Sequence, residues 1–260
     1  MKVLFIGDIV GKIGRNAVKA LLPKIAERYK IDFTVANGEN AAGGFGITEE
    51  VAKELFSFGV HIITTGNHVW DKKEVIPYLQ KEDRLLRPLN YPEGVPGYGS
   101  ALMGLPGGRS VGVVNLSGRV YMGLMDCPFR LGLGEVEKLR EKTPVIIVDM
   151  HAEATSEKVA MGYYLDGKAS AVIGTHTHVM TADERILPKG TAYISDAGMT
   201  GPVDSIIGVN KDQVIDKFLY QMPVRFEIPS GTAMFCGLVV DVDDETGTSK
   251  SIARLQLTYP

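Results

Sequence analysis

Short apolar runs alternate with amphipathic stretches along most of this chain, and no other feature restricts its fold as tightly. Val3 to Gly7 has the length and composition of a short buried strand. Ala17 to Tyr29 then shows helical periodicity, with Val18, Leu21, Leu22 and Ile25 on one face. Asp32 to Ala36 predicts a second strand. Thr48 is placed to cap a helix running towards Phe58, with Glu49 and Glu50 in its first turn. Ile62 to Thr65 predicts a third strand, and Asp71 to Leu79 a further helical stretch. Val111 to Asn115, Val145 to Asp149 and Ala171 to Gly174 continue the strands, with helical Glu157 to Leu165 between the last two. This spacing predicts an α/β fold on a largely parallel sheet. The character shifts near Gly104 and again after Pro223, where Val224 to Ile228, Met234 to Val242 and Ile252 to Leu257 are β-rich with turns between them. An antiparallel flank or a second sheet is expected there. Tyr91 to Gly99, with two prolines and three glycines, reads as a loop excursion. With no internal repeat or low-complexity tract, residues 1–260 read as a single domain.

A 260-residue chain buries about three-quarters of the surface its unfolded form exposes, enough for one large core or two small ones. Its apolar content of 45% and charged content of 23% are those of an ordinary globular protein. A net charge of −3 gives no basic face for duplex nucleic acid, but leaves room for a small anion in a local positive pocket. The first apolar run is too short for a signal-peptide core and is cut by Asp8, and no window approaches the roughly 20 apolar residues of a membrane span. Cys127 and Cys236 cannot make a four-thiolate metal site, and without an export signal both are expected to stay reduced. The expected location is the cytoplasm, with no membrane partner.

Chemistry gathers at the ends of the strands. The first ends in Gly7-Asp8, the second in Gly38-Glu39-Asn40 and the third in Gly66-Asn67-His68; later ones end in Asp149-Met150-His151 and Gly174-Thr175-His176-Thr177-His178. Carboxyl ends of strands are where open α/β sheets bind ligands. In the last motif a period of two would put both imidazoles on one face of an extended segment, with Gly174 letting the backbone turn. Taken alone, His-x-His is better explained as a pair of strand-end polar residues. Taken with the other four, it points to a metal centre. Oxygen and imidazole donors without thiolate suit Mn, Fe, Co, Ni or Zn. Seven or eight donors exceed what one catalytic ion can use, but suit two ions about 3.5–4 Å apart, bridged by a carboxylate and a hydroxide. Two dications outweigh Asp8, Glu39 and a hydroxide, so a phosphate oxygen is the natural guest. The glycines from Gly7 to Gly14 invite two nucleotide motifs, but Ile9 and Ile13 stand where a dinucleotide fingerprint needs glycine and a P-loop needs Ser or Thr.

Gly-Asp, Gly-Glu-Asn, Gly-Asn-His, a lone His and Gly-x-His-x-His, in that order, resemble the calcineurin-like metallophosphoesterase superfamily. The chain is similar to its bacterial branch of 2′,3′-cyclic-nucleotide phosphodiesterases, through Asn37 to Ala42, His151 to Lys158 and Gly198 to Pro202 as well. The resemblance implies a sandwich of two mixed β-sheets flanked by helices. It implies a first metal held by Asp8, Glu39, Asn40 and His178, and a second held by Glu39, Asn67, His151 and His176. Iron or manganese are the leading ions, with zinc, cobalt and nickel admissible. Departures from the broad superfamily are Val10 in place of the usual first histidine, Glu39 for the bridging aspartate, and Val69 after Gly-Asn-His with Asp71 two positions on.

His68 follows a ligand and is placed to be the general acid for a leaving alkoxide. His61, at a strand start, is assigned to structure. Arg87, Arg119 and Arg130 sit in loop-like contexts, where surface charge explains them better than a phosphate clamp. Glu153, Thr155 and Asp196 are candidates for orienting the imidazoles. The implied reaction is attack by a metal-bound hydroxide on a phosphodiester, opening 2′,3′-cyclic nucleotides to 3′-nucleotides. The partner is a small phosphodiester or nucleotide; a homo-oligomer is compatible with the sequence. The rival reading is a regulatory protein that binds a nucleotide or partner on the same bimetallic fold with little turnover, and the presence of His68 favours the enzyme.

Overall fold

The computed structural model describes residues 1–260. In chain order it comprises β1 (Lys2–Ile6), β2 (Asp8–Ile9), α1 (Gly11–Tyr29), β3 (Phe33–Asn37), α2 (Glu49–Ser57), β4 (Ile62–Thr64), α3 (Ile76–Leu79), β5 (Ser100–Gly104), β6 (Ser110–Ser117) and α4 (Pro128–Arg140). There follow β7 (Ile146–His151), α5 (Thr155–Tyr164), β8 (Ala171–Thr175), β9 (Arg185–Ile186), β10 (Ala192–Ile194), β11 (Met199–Pro202), α6 (Lys211–Tyr220), β12 (Ala233–Val242) and β13 (Ser249–Tyr259).

Two mixed sheets result. One has the order β2-β11-β12-β1-β3-β4, with β13 on β12; the other has the order β5-β6-β7-β8-β10-β9. β1, β3 and β4 run parallel, as do β6, β7, β8 and β10. The expected two-sheet sandwich is therefore the observed one. It replaces the single, largely parallel sheet that the strand–helix alternation suggests by itself.

The period of two in the strands builds the layers. Val3 and Phe5 of β1 point between the sheets, where they meet Val113, Ile147 and Ile173 from the other side. Leu4 and Ile6 point the opposite way, onto Val18, Leu22 and Ile25 of α1 and Leu55 of α2. Val114, Leu116 and Val148 likewise pack outward under Val136 and Leu139 of α4 and Met161 of α5. Each fully buried side chain of this kind contributes roughly 1.5–3 kcal/mol, so three stacked apolar layers fix the sheets face to face. Strand ends are thereby held rigidly. No helix is long and apolar enough to cross a membrane.

Several local expectations differ from what forms. α1 begins at Gly11, six residues before Ala17, and its first turns pack close enough that Gly14 lies against the Thr200 carbonyl where a Cβ would not fit. Asp71 to Leu79 is helical only from Lys73, as a 3₁₀ turn leading into α3. Val224 to Ile228 forms no strand: Pro223 and Pro229 bracket it, neither can donate to a ladder, and Ile228 packs on Gly11 and Gly44 instead. Arg130 lies within α4, not in a loop. Thr48 does cap α2, its Oγ1 accepting from the Val51 N–H at 3.3 Å. His61 is structural, accepting from the Thr34 N–H at 3.0 Å and stacking on Phe33. Both cysteines are unpaired.

Candidate metal centre

The carboxyl ends of β1, β3 and β4 in one sheet face those of β7 and β8 in the other, and the polar strand ends converge there. Asp8 opens β2 directly after Gly7 and is fully buried. Glu39 and Asn40 follow β3, with the Glu39 N–H donating to Asn37 Oδ1 at 3.1 Å. Asn67 and His68 follow β4, while His151 is the last residue of β7.

His176 and His178 arrive by a different route from the expected one. β8 ends at Thr175, and both histidines adopt left-handed backbone, with φ of 100° and 67°. Such residues cost of order 1–3 kcal/mol each and persist only where their surroundings hold them. Gly174 is not the turning residue either. It lies inside β8, where a Cβ would run into the Ser195 carbonyl and the Lys158 side chain.

Two sets of donor atoms form. Glu39, His151 and His176 bring ligand atoms within 4.8 Å of one another, and so do Asp8, Glu39 and His178. Glu39 belongs to both. Its Oε1 lies 3.2 Å from His151 Nε2, which also approaches Asn67 Oδ1 at 3.2 Å and His176 Nδ1 at 3.0 Å. Asp8 Oδ1 is 3.9 Å from His178 Nε2 and 3.9 Å from His151 Nδ1. The Asn40 amide lies 3.1 Å from both Glu39 Oε1 and His178 Nε2.

The buried carboxylates and imidazoles perturb one another strongly. Burial drives the Asp8 carboxyl up to about 7, against the pull of His178 and His151. Burial acts the same way on Glu39, but His151 and its neighbours outweigh it and hold that carboxyl at about 2. Burial disfavours a charged His151, yet Glu39 and Asp8 raise it to about 9; burial and His151 together press His176 down to about 3. Asp8 Oδ1 and Asn40 Oδ1 are buried without any hydrogen-bond partner. An orphaned buried acceptor is costly, and two beside a knot of carboxylates and imidazoles fit a cation that accepts their lone pairs. The donor set fits a borderline divalent metal.

Supporting contacts are partly those expected. Glu153 Oε2 reaches His176 Nε2 at 3.1 Å. Thr155 heads α5 and forms no side-chain hydrogen bond, and Asp196 bonds to no imidazole but to Thr177 between them. Thr175 is the partner that sequence reasoning misses. Its hydroxyl lies 2.9 Å from His151 Nδ1 and donates to Asp149 Oδ1 at 2.7 Å, which sets the ring's orientation. The only signal was a hydroxyl at the end of an otherwise apolar run.

A cavity of 280 Å³ opens over the centre, lined by His68, Phe45, Ile207 and Ile228 among others, and by no Lys or Arg. Arg87 donates to the carbonyls of Pro88, Leu89 and Pro96, Arg119 reaches Cys127 Sγ at 3.7 Å, and Arg130 lines a separate cavity. None of the three reaches the centre. His68 stands at the cavity wall, its Nδ1 2.9 Å from Asp71 Oδ2.

Gly66 leaves the room in which this cluster assembles: a Cβ there would collide with the His151 ring and Glu39 Oε2. Gly66→Ala is therefore expected to weaken metal binding by at least about tenfold, on the scale of a displaced supporting group. Elemental analysis after dialysis against a graded metal buffer measures it, with circular dichroism as the check on folding.

The chain matches the model of the YmdB-like protein family over residues 4–255. It is 48% identical to the 2′,3′-cyclic-nucleotide 2′-phosphodiesterase of Bacillus subtilis (strain 168), covering 98% of this chain and 96% of that protein. Among solved structures it superposes on a hypothetical protein from Thermus thermophilus with a TM-score of 0.93, at 44% identity over 100% of both chains. It also superposes on a novel phosphatase from Mycoplasma pneumoniae with a TM-score of 0.92, at 34% identity over 99% of this chain and 93% of that one. A match over nearly the whole length, in sequence and in fold, makes this chain a member of the YmdB-like family.

Proposed function

We propose that this chain is a metal-dependent phosphodiesterase that opens 2′,3′-cyclic nucleotides to 3′-nucleotides. The observation that carries the reading is Glu39, whose carboxylate belongs to two donor clusters at once. A carboxylate shared between one cluster with His151 and His176 and another with Asp8 and His178 suits two adjacent ions. Asp8, Glu39, Asn40 and His178 would hold one ion, and Glu39, Asn67, His151 and His176 the other. Iron or manganese suits this imidazole, carboxylate and amide set. The relative named for action on 2′,3′-cyclic nucleotides supplies the substrate class.

When bound, the two ions would supply Lewis acidity towards the phosphoryl oxygens and a water-derived nucleophile near neutral pH. The chain's own residues do the rest. Phe45, Ile207 and Ile228 line the apolar side of the cavity and suit the ribose and base. His68, beside Phe45 in the cavity wall, donates its proton to the departing 2′ oxygen. Asp71 Oδ2 lies 2.9 Å from the other ring nitrogen, Nδ1, and orients the imidazole for this transfer. Glu39 also receives the His68 backbone N–H at 3.3 Å, which ties the acid's position to the centre.

The test is hydrolysis of 2′,3′-cyclic AMP by the purified protein, with the products separated chromatographically. The expected product is 3′-AMP. Chelator-stripped protein should lose the activity, and added manganese or iron(II) should restore it. Undiminished turnover after confirmed metal removal would defeat the proposal. Nucleotide binding without turnover in the metal-loaded protein would instead favour a regulatory binding role.

A further inference from the structure

Beneath the His176-Thr177-His178 turn lies a buried ion pair that the proposed chemistry does not use. Lys158 on α5 and Asp196 just after β10 are each 1% exposed, with Nζ 2.9 Å from Oδ2. Taking both charges out of water is so costly that such a pair often stabilises a fold no better than apolar residues would. Its contacts give it another task. Asp196 Oδ2 accepts from the Thr177 N–H at 3.0 Å and from Thr177 Oγ1 at 2.8 Å, while Oδ1 accepts from the Gly198 N–H at 2.8 Å. Lys158 Nζ also donates to the Thr175 carbonyl at 3.1 Å. The pair thus grips the residues on either side of His176, the second of which precedes His178. Those two histidines are the ones in left-handed backbone. Gly174 completes the fit, because a Cβ there would strike the Lys158 stem.

We propose that Lys158 and Asp196 form a positioning clamp that holds residues 175–177 so that His176 and His178 face Glu39 and Asp8, and thereby sets the metal affinity of the centre. The clamp rests on the ligand assignment proposed above. Its charges matter because a carboxylate binds N–H and O–H donors about twice as strongly as a neutral acceptor. Lys158 supplies the opposite charge that a buried carboxylate needs. The strained turn is then over-determined from below, as residues in sparsely populated backbone regions require.

The test separates positioning from stability. Metal-free wild type, Asp196→Asn and the double variant Lys158→Met with Asp196→Asn are titrated with cobalt(II), following the visible absorption of the bound ion. Thermal denaturation is recorded on the same metal-free samples. Asp196→Asn should lower cobalt affinity about 10–100-fold, the range typical of groups that orient ligands, and should alter the spectrum. The double variant leaves no buried charge unpaired, so its melting temperature should return towards wild type while its cobalt affinity stays low. A double variant that regains wild-type affinity and spectrum along with its stability would overturn the clamp and leave the pair purely structural. Thr177→Val keeps the pair and removes only the hydroxyl donor; it should lose a few-fold in affinity with its melting temperature unchanged, and no loss would count against the clamp even if the other variants fail to fold. A wild-type chain that binds no cobalt would overturn the ligand assignment, and the clamp's function with it.

Discussion

Glu39→Gln should empty or strongly weaken one of the two metal positions and abolish phosphodiester hydrolysis, while leaving the fold intact. The side chain is 1% exposed and its Oε1 and Oε2 touch His151, the Asn40 amide and the His68 N–H. Glutamine has the same shape and keeps one acceptor, so the packing around it need not change. What it removes is the charge. Glu39 is the only carboxylate common to both donor clusters, and the repulsion between two dications is about four times that of two unit charges at the same distance. An anion placed between them offsets it; a neutral amide does not. The loss of affinity should therefore exceed the roughly 10–100-fold typical of a lost outer partner. Elemental analysis should find fewer ions per chain than in wild type, and hydrolysis of 2′,3′-cyclic AMP should fall with them. A variant with full metal content and wild-type turnover would remove Glu39 from the bridging position.

The carboxylates and imidazoles were legible in the sequence because strand ends are punctuated. Each stands within five residues of the end of an apolar run, Asp8 and Glu39 directly after a glycine, and the resemblance gave their order a meaning. Structure then explained the glycines differently in each case: Gly66 makes space for His151 and Glu39, and Gly174 for Lys158 and a neighbouring carbonyl. Periodicity cannot distinguish a residue that turns from one that merely yields space. It also failed for short or interrupted elements. β10 has three residues and β11 four, too few to show alternation, and α4 opens on Pro128 and carries Gly132 and Gly134. The run from Val224 to Ile228 has β-type composition but no partner to pair with. Thr175 and Lys158 were invisible for another reason, and Asp196, a candidate for orienting the imidazoles, was legible only without its route through Thr177. Their roles depend on contacts between elements 17 to 38 residues apart, and nothing local marks a lysine inside a helix as buried.

His68→Ala should keep both metals and lose about 10²–10⁴-fold in kcat on 2′,3′-cyclic AMP, the usual contribution of a positioned general acid. The metal content should survive because His68 belongs to neither donor cluster. The contact it makes to Glu39 comes from the backbone N–H, which alanine retains. The ring instead faces the cavity, with Asp71 at its Nδ1 and Phe45 edge-on at 5.2 Å. Leaving-group dependence distinguishes acid catalysis from simple binding. A nitrophenyl phosphodiester departs as a stabilised anion that needs little protonation, so the variant should be impaired far less on it than on the cyclic nucleotide. Asp71→Asn should fall between wild type and His68→Ala, since it leaves the imidazole in place but weakens the contact that orients it. Equal losses on both substrates with intact metal would make His68 a binding residue and require another proton donor. Loss of metal from the variant would place its imidazole among the ligands, which the contacts of the ring do not support.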